Sequence, residues 1–335
     1  MSAATLADPV AGLAAEHGFS GVVRVDRAGA VEYASAFGLA DRALGVPITL
    51  EARFGVASIA KGLTAMVVIS LIADGKLTLD TAVRSILGED LPEIDDAVTV
   101  EHLLSHRSGI GDYLDEDEVA TNDYVMPVPV HQFATTEDFL TALEGHPQKF
   151  APGSEFSYCN GGFVVLALIA ERVAGVSYHQ LVTDRVCRPA GLADTDFLRN
   201  DELPGDVAKG YLHRDGLRTN VLHLPVRGSG DGGVHTTLAD LHRLWQSFFA
   251  GEIVPESWVR EMVRRRSTDI GEDRACYGLG IWLERESPGA YLVGSDAGVS
   301  CCTWHDPSRG LTWTVLGTSS DIAWPIVALL DSSLG

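Results

Sequence analysis

Ser58-Ile59-Ala60-Lys61 sets a hydroxyl and an amine three residues apart. On a helix that spacing puts both on one face. The apolar, alanine-containing stretch 58–74, ending at Asp74-Gly75, has the pattern of such a helix with a glycine stop. A serine at a helix N-terminus sits among free N–H groups and positive potential. A partly desolvated lysine beside it can be neutral and take the serine proton, which makes the serine a nucleophile. Tyr158-Cys159-Asn160 follows Pro152-Gly153 and precedes a helical pattern opening at Gly161-Gly162. A tyrosine on a loop beside a serine–lysine pair can shuttle protons. The asparagine amide can hold a substrate carbonyl or fix the lysine. The competing interpretation makes Asn160 a helix N-cap and Tyr158 a packed ring. Taken singly, neither motif is decisive, because S-x-x-K and Y-x-N both arise by chance.

The elements around these residues define an architecture. Gly21–Asp26 and Ala30–Ala34 read as two strands joined at Arg27–Gly29. Short helical patterns follow at Leu77–Ile86 and Thr99–Ser105. Longer ones run over Thr136–Glu144, Gly161–Ala174, Tyr178–Arg188, Leu238–Ala250 and Pro255–Arg264. Gly278–Glu284, Ala290–Val293, Val299–His305 and Leu311–Gly317 read as successive strands, and a final helix spans about Trp324–Leu334. Strands at both ends and helices between imply an α/β (α+β) fold. Its antiparallel sheet is built from both chain ends and flanked by helices, with a mainly helical insert. The expected division is a sheet domain of residues 1–75 and 266–335 and a helical domain of 76–265, with the active site between them. Gly109–Thr135 has no periodicity and carries Asp112, Asp115, Glu116, Asp117, Glu118 and Asp123. It reads as a long loop or lid with a solvated acidic face, or one that admits cationic substrates.

Composition narrows the partners. The 335 residues carry 25 basic and 46 acidic side chains, a formal charge of −21. That balance disfavours nucleic acid and anionic membranes, and leaves a small-molecule substrate as the expected partner. No segment reaches the ~18 unbroken apolar residues of a membrane span. The N-terminus lacks the basic and apolar regions of a secretory signal. Five cysteines form no C-x-x-C pair, so reduced thiols and a cytoplasmic location are expected. His102 and His106, four apart, suit a metal pair, but no H-E-x-x-H pattern accompanies them, and neither a metal nor a cofactor is expected. No G-x-S-x-G elbow is present to anchor a Ser-His-Asp triad.

Taken together, Phe54–Lys61, Leu103-Leu104-Ser105-His106-Arg107-Ser108-Gly109 and Pro152–Gly162 resemble the serine β-lactamase and penicillin-binding-protein-like family, whose nucleophile motif is S-x-x-K. Arg188–Thr195 is similar to the family's PLGM-x-x-T segment, Gly232–Asp240 to its GG-x-x-x-T-x-x-D segment, and Tyr277–Gly280 to its YGLG strand. The resemblance covers roughly residues 50–320. It is nearest to the class C β-lactamase-like branch, with D-aminopeptidases, D-alanyl-D-alanine carboxypeptidases, family VIII carboxylesterases and transesterases. It implies a β-lactamase-like fold in which Ser58 is acylated, Lys61 is its base, Tyr158 relays protons and Asn160 orients substrate. The N–H groups of Ser58 and Gly298 would form the oxyanion hole.

The third motif departs from the family's K-T-G or H-x-G. Matched to it, Ser295-Asp296-Ala297 carries Ser295 at the basic position and an added acid, Asp296. Losing the basic group weakens recognition of a substrate carboxylate, and Asp296 would repel one. Either the substrate is a neutral or amine-bearing ester or amide, or Asp296 faces away from the cleft. The expected function is a serine hydrolase acting through an acyl-enzyme on a small ester or amide, of esterase or D-amino-acid peptidase type. The alternatives are a transesterase or acyltransferase, and a slowly acylating penicillin-binding sensor.

Overall fold

The strands at the two ends of the chain pair with each other. The computed structural model describes residues 3–116, 118–119, 124–271 and 275–335. Strand β1 (Gly21–Arg27) forms a hairpin with β2 (Ala30–Phe37) and lies antiparallel to β10 (Leu311–Gly317), in register from Gly21 opposite Gly317 to Arg27 opposite Leu311. The short strands β3 (Phe54–Gly55) and β4 (His235–Thr236) pair apart from the main sheet. The main sheet continues with β5 (Ser267–Ile270), β6 (Ala275–Tyr277), β7 (Trp282–Leu283), β8 (Ala290–Asp296) and β9 (Val299–Asp306). The spatial order is β2-β1-β10-β9-β8-β7-β6-β5, with every pair antiparallel.

Both faces of the central strands are covered, so every residue of β9 and β10 is buried and their sequences do not alternate. On one face, helices α1 (Ala3–His17) and α5 (Trp324–Leu334) contribute Leu6, Val10, Ile326 and Leu330 to a cluster with Val23, Trp304, Trp313 and Val315. On the other, α2 (Ala60–Ala73) packs among the sheet, α3 (Asn160–Ala174) and α4 (Leu238–Phe249). Enclosed on all sides, α2 is mostly apolar, its polar residues Lys61, Thr64 and Ser70 are themselves buried, and its only exposed residue is Ala73 at the C-terminal end.

Several sequence expectations need adjustment. The terminal helix α1 has no counterpart in the elements read from the sequence. The pattern at Leu77–Ile86 yields only the four-residue helix Arg84–Leu87. The expected strand Gly278–Glu284 begins with a turn, in which Gly278 N donates to Ile281 O, and only Trp282–Leu283 is extended. The helix expected from residue 58 opens with a 3-10 turn, Ala57–Ile59, that carries Ser58.

Candidate active site

Ser58 sits between a strained residue and a helix start. Ala57 has φ +42°, a conformation costing a non-glycine residue about 1–3 kcal/mol. Lys61, in the first turn of α2, is 2% exposed, and its Nζ donates to three oxygens: Ser58 Oγ at 2.9 Å, Asn160 Oδ1 at 2.7 Å and the Asp231 carbonyl at 2.9 Å. Burial pushes the lysine below its ordinary value, while the carboxylates of Asp231, Glu116, Asp112 and Asp296 pull it back up.

The Tyr158 hydroxyl hydrogen-bonds with Ser58, and Lys61 Nζ lies 5.0 Å from the tyrosine ring centroid. Burial and the Glu116 charge raise this phenol well above its ordinary range, while the Ser58 bond opposes them. Its ring rests on His106 at 4.3 Å between centroids and stacks on Trp282 at 6.1 Å. His106 Nδ1 accepts the Cys159 N–H at 3.0 Å, and His102 Nδ1 accepts the Thr99 N–H at 3.2 Å within a capping box. Both histidines therefore support the chain, and no group able to hold a metal ion occurs among the described residues. Asn160 is not the cap of α3. Cys159 holds that place, its Sγ accepting the Gly162 N–H, which frees the Asn160 amide to face Lys61.

A cleft opens over Ser58. Asn160, Ser295, Asp296 and Gly298 all line it, so Asp296 does not face away. Asp296 accepts the Tyr124 hydroxyl at 2.9 Å and the Ala297 N–H at 2.7 Å, and burial raises its carboxyl to about 7. Glu116 and Asp231 join it on the wall, and no lysine or arginine is among the described residues that line the cleft.

The register of β8 corrects the third motif. A Cβ on Gly294 would lie 2.3 Å from Val56 O and 3.2 Å from Ser58 N, so Gly294 is the residue that must be glycine for this strand to approach the nucleophile. K-T-G spacing then puts the basic position at Leu292 rather than Ser295. Gly298 is the second corner of the β8–β9 turn, at φ +72°, and its N–H is already donated to Ser320 Oγ at 3.0 Å. The expected oxyanion donor is therefore committed elsewhere. Across that two-residue turn Asp296 and Val299 form the hydrogen-bonded pair, so the next pair, Ser295 and Ser300, does not. The Ser295 N–H thus points to the opposite edge of β8, which is free of β7 beyond Tyr291 and borders Ser58.

The remaining support comes from residues with no motif of their own. The Tyr113 hydroxyl donates to the Asp231 carboxylate, and Asn160 Nδ2 donates to Leu114 O at 2.9 Å and Glu116 Oε1 at 3.0 Å. Asp112 is buried and Glu116 holds Asn160, so the acidic run is not simply a solvated face. Asp117 and Asp123 lie outside the described residues. The only signal for these groups was their adjacency to the S-G and GG motifs.

The Beta-lactamase family model matches residues 6–323. The chain belongs to the beta-lactamase family. Within it, the chain is 28% identical over 324 residues to a D-aminopeptidase of Brucella anthropi, covering 92% of this chain and 59% of that protein. It is 27% identical over 301 residues to penicillin-binding protein 4* of Bacillus subtilis, covering 85% and 64%. It thus spans about three fifths of the length of these curated relatives. The crystal structure of a penicillin-binding protein from Bacillus halodurans superposes with a TM-score of 0.89 at 29% identity, covering 96% of this chain and 99% of that one. This chain therefore has the family's fold.

Proposed function

We propose that the protein hydrolyses a small amine-bearing ester or amide through an acyl-enzyme on Ser58. The observation that carries this is the 2.9 Å bond from Lys61 Nζ to Ser58 Oγ, made by a lysine that burial drives toward its neutral form. Neutral Lys61 takes the hydroxyl proton as Oγ attacks the substrate carbonyl. The N–H groups of Ser58 and Ser295 receive the developing oxyanion. Tyr158 passes a proton to the leaving alcohol or amine as its bond to carbon breaks. Water, deprotonated by the same pair, then adds to the acyl carbon and releases the acid with Ser58 restored.

The acidic cleft favours an amine on the substrate. Glu116, Asp231 and Asp296 attract an ammonium group and repel a carboxylate. A D-amino-acid amide or ester has that charge, in keeping with the name of the D-aminopeptidase relative. The test compares a D-alanyl anilide with its N-acetylated form, in the parent and in Asp296→Asn. The free amine should be the better substrate, and the variant should narrow the difference. An N-acetylated form that is turned over equally well by the parent would contradict the proposal.

A further inference from the structure

We propose that residues 112–116 are a positioning clamp for Lys61, anchored by Asp112. The inference rests on the reading of Lys61 as the base. Of the three oxygens that receive the lysine's hydrogens, one is the nucleophile and the others are Asn160 Oδ1 and the Asp231 carbonyl. This one loop holds both residues. Tyr113 grips the Asp231 carboxylate. Leu114 O and Glu116 Oε1 take the Asn160 NH2, which turns the amide so that its oxygen faces Lys61.

Asp112 ties the loop to the motif. Its carboxylate accepts the N–H groups of Asn160 and Gly161 at the start of α3, and that of Leu114 within the loop. It is 7% exposed and does not line the cleft, so it acts without touching substrate. Burial raises its carboxyl to about 6 against the pull of those N–H groups. Around Lys61 stand the carboxylates of Asp231, Glu116, Asp112 and Asp296 and the phenol of Tyr158. Tyr113 and Tyr124 are bonded to two of those acids, and His106 lies behind Tyr158. Above about pH 6, where Asp112 is ionised, removing its negative charge makes the lysine ammonium easier to deprotonate.

The clamp is tested by the rate of Ser58 acylation with a p-nitrophenyl ester across pH, in the parent, Asp112→Asn and Tyr113→Phe, with melting curves for each. Asp112→Asn keeps the shape, loses the charge and replaces one acceptor oxygen. Tyr113→Phe keeps the ring against Phe139 and loses only the hydroxyl. Both should lower kcat about ten- to a hundred-fold with KM little changed. In Asp112→Asn the acid limb should also move to lower pH. Folded variants with parental kcat and pH profile would overturn the clamp. So would an equal loss at every pH in Asp112→Asn, which marks a merely structural role. If Asp112→Asn does not fold, Tyr113→Phe decides alone: lost kcat supports the clamp, parental kcat overturns it. A parent that is never labelled at Ser58 overturns the nucleophile assignment, and the clamp with it. A labelled parent with indifferent variants overturns the clamp only.

Discussion

Gly294→Ala probes the approach of β8 to the nucleophile. The added methyl would sit 2.3 Å from Val56 O, 2.7 Å from Cys301 Sγ and 3.2 Å from Ser58 N. Cβ contacts essentially never fall below 3.0 Å, so strand or turn must yield by at least 3.0 − 2.3 = 0.7 Å. Val56 O is not free to retreat, because it accepts the Ile59 N–H at 3.1 Å and the Cys301 thiol at 3.3 Å. Overpacking of this kind costs about 1–3 kcal/mol, a fall of roughly 1–4 °C in melting temperature for a chain of this size. The larger effect is on chemistry. Moving the Ser295 N–H by that distance removes an oxyanion donor, worth about 10²-fold in kcat. The assay is kcat/KM on a p-nitrophenyl acyl ester beside a melting curve. Ala297→Gly, at the position first matched to the motif glycine, should stay within about three-fold of the parent. A folded Gly294→Ala protein that also stays within about three-fold would refute the argument that β8 walls the oxyanion site.

Other consequences follow from the same contacts. Lys61→Arg leaves a permanent cation where a neutral base is needed, so acylation should fall at least about 10²-fold, read by burst kinetics. Asp296, with its carboxyl near 7, is neutral below that pH, so preference for the amine-bearing substrate should strengthen as pH rises through 7 and flatten in Asp296→Asn, measured as a ratio of kcat/KM values. Far from the cleft, burial would raise the Asp26 carboxyl, but His242 Nδ1 at 3.0 Å and Arg24 hold it well below the usual range. Its stabilisation is present above the unfolded value and lost as pH falls toward the folded one. Asp26→Asn should therefore cost about 2 kcal/mol at neutral pH, and the gap to the parent in thermal or urea unfolding should shrink in acid.

The grouping of Ser58, Lys61 and Tyr158 was legible because these residues lie in short local patterns whose spacing is itself the geometry, as in Ser58 and Lys61 on one helical turn. The strands at both ends were legible for a similar reason, since β-rich runs alternate with turn residues. The third motif was misplaced because Val293–Gly298 matches the family pattern only loosely by letter, and the packing of Gly294 against Val56 and Ser58 is what sets its register. The acidic loop was misjudged because a carboxylate that caps a helix looks the same in sequence as one in water. Asp112 and Asp115 differ by three positions, yet one sits at the start of α3 and the other pairs with Lys149. Helix α1 was not legible because Pro9 lies inside it, a residue that ordinarily interrupts a helical pattern, while its packing on the outer face of the sheet sustains it.

The central claim is a covalent acyl group on Ser58. Intact-mass spectrometry after brief exposure to a p-nitrophenyl acyl ester, followed by peptide mapping, tests it most directly. The account predicts one acyl adduct, confined to the peptide containing Ser58 and absent from Ser58→Ala. An adduct that persists in Ser58→Ala, or steady turnover by that variant, would contradict it.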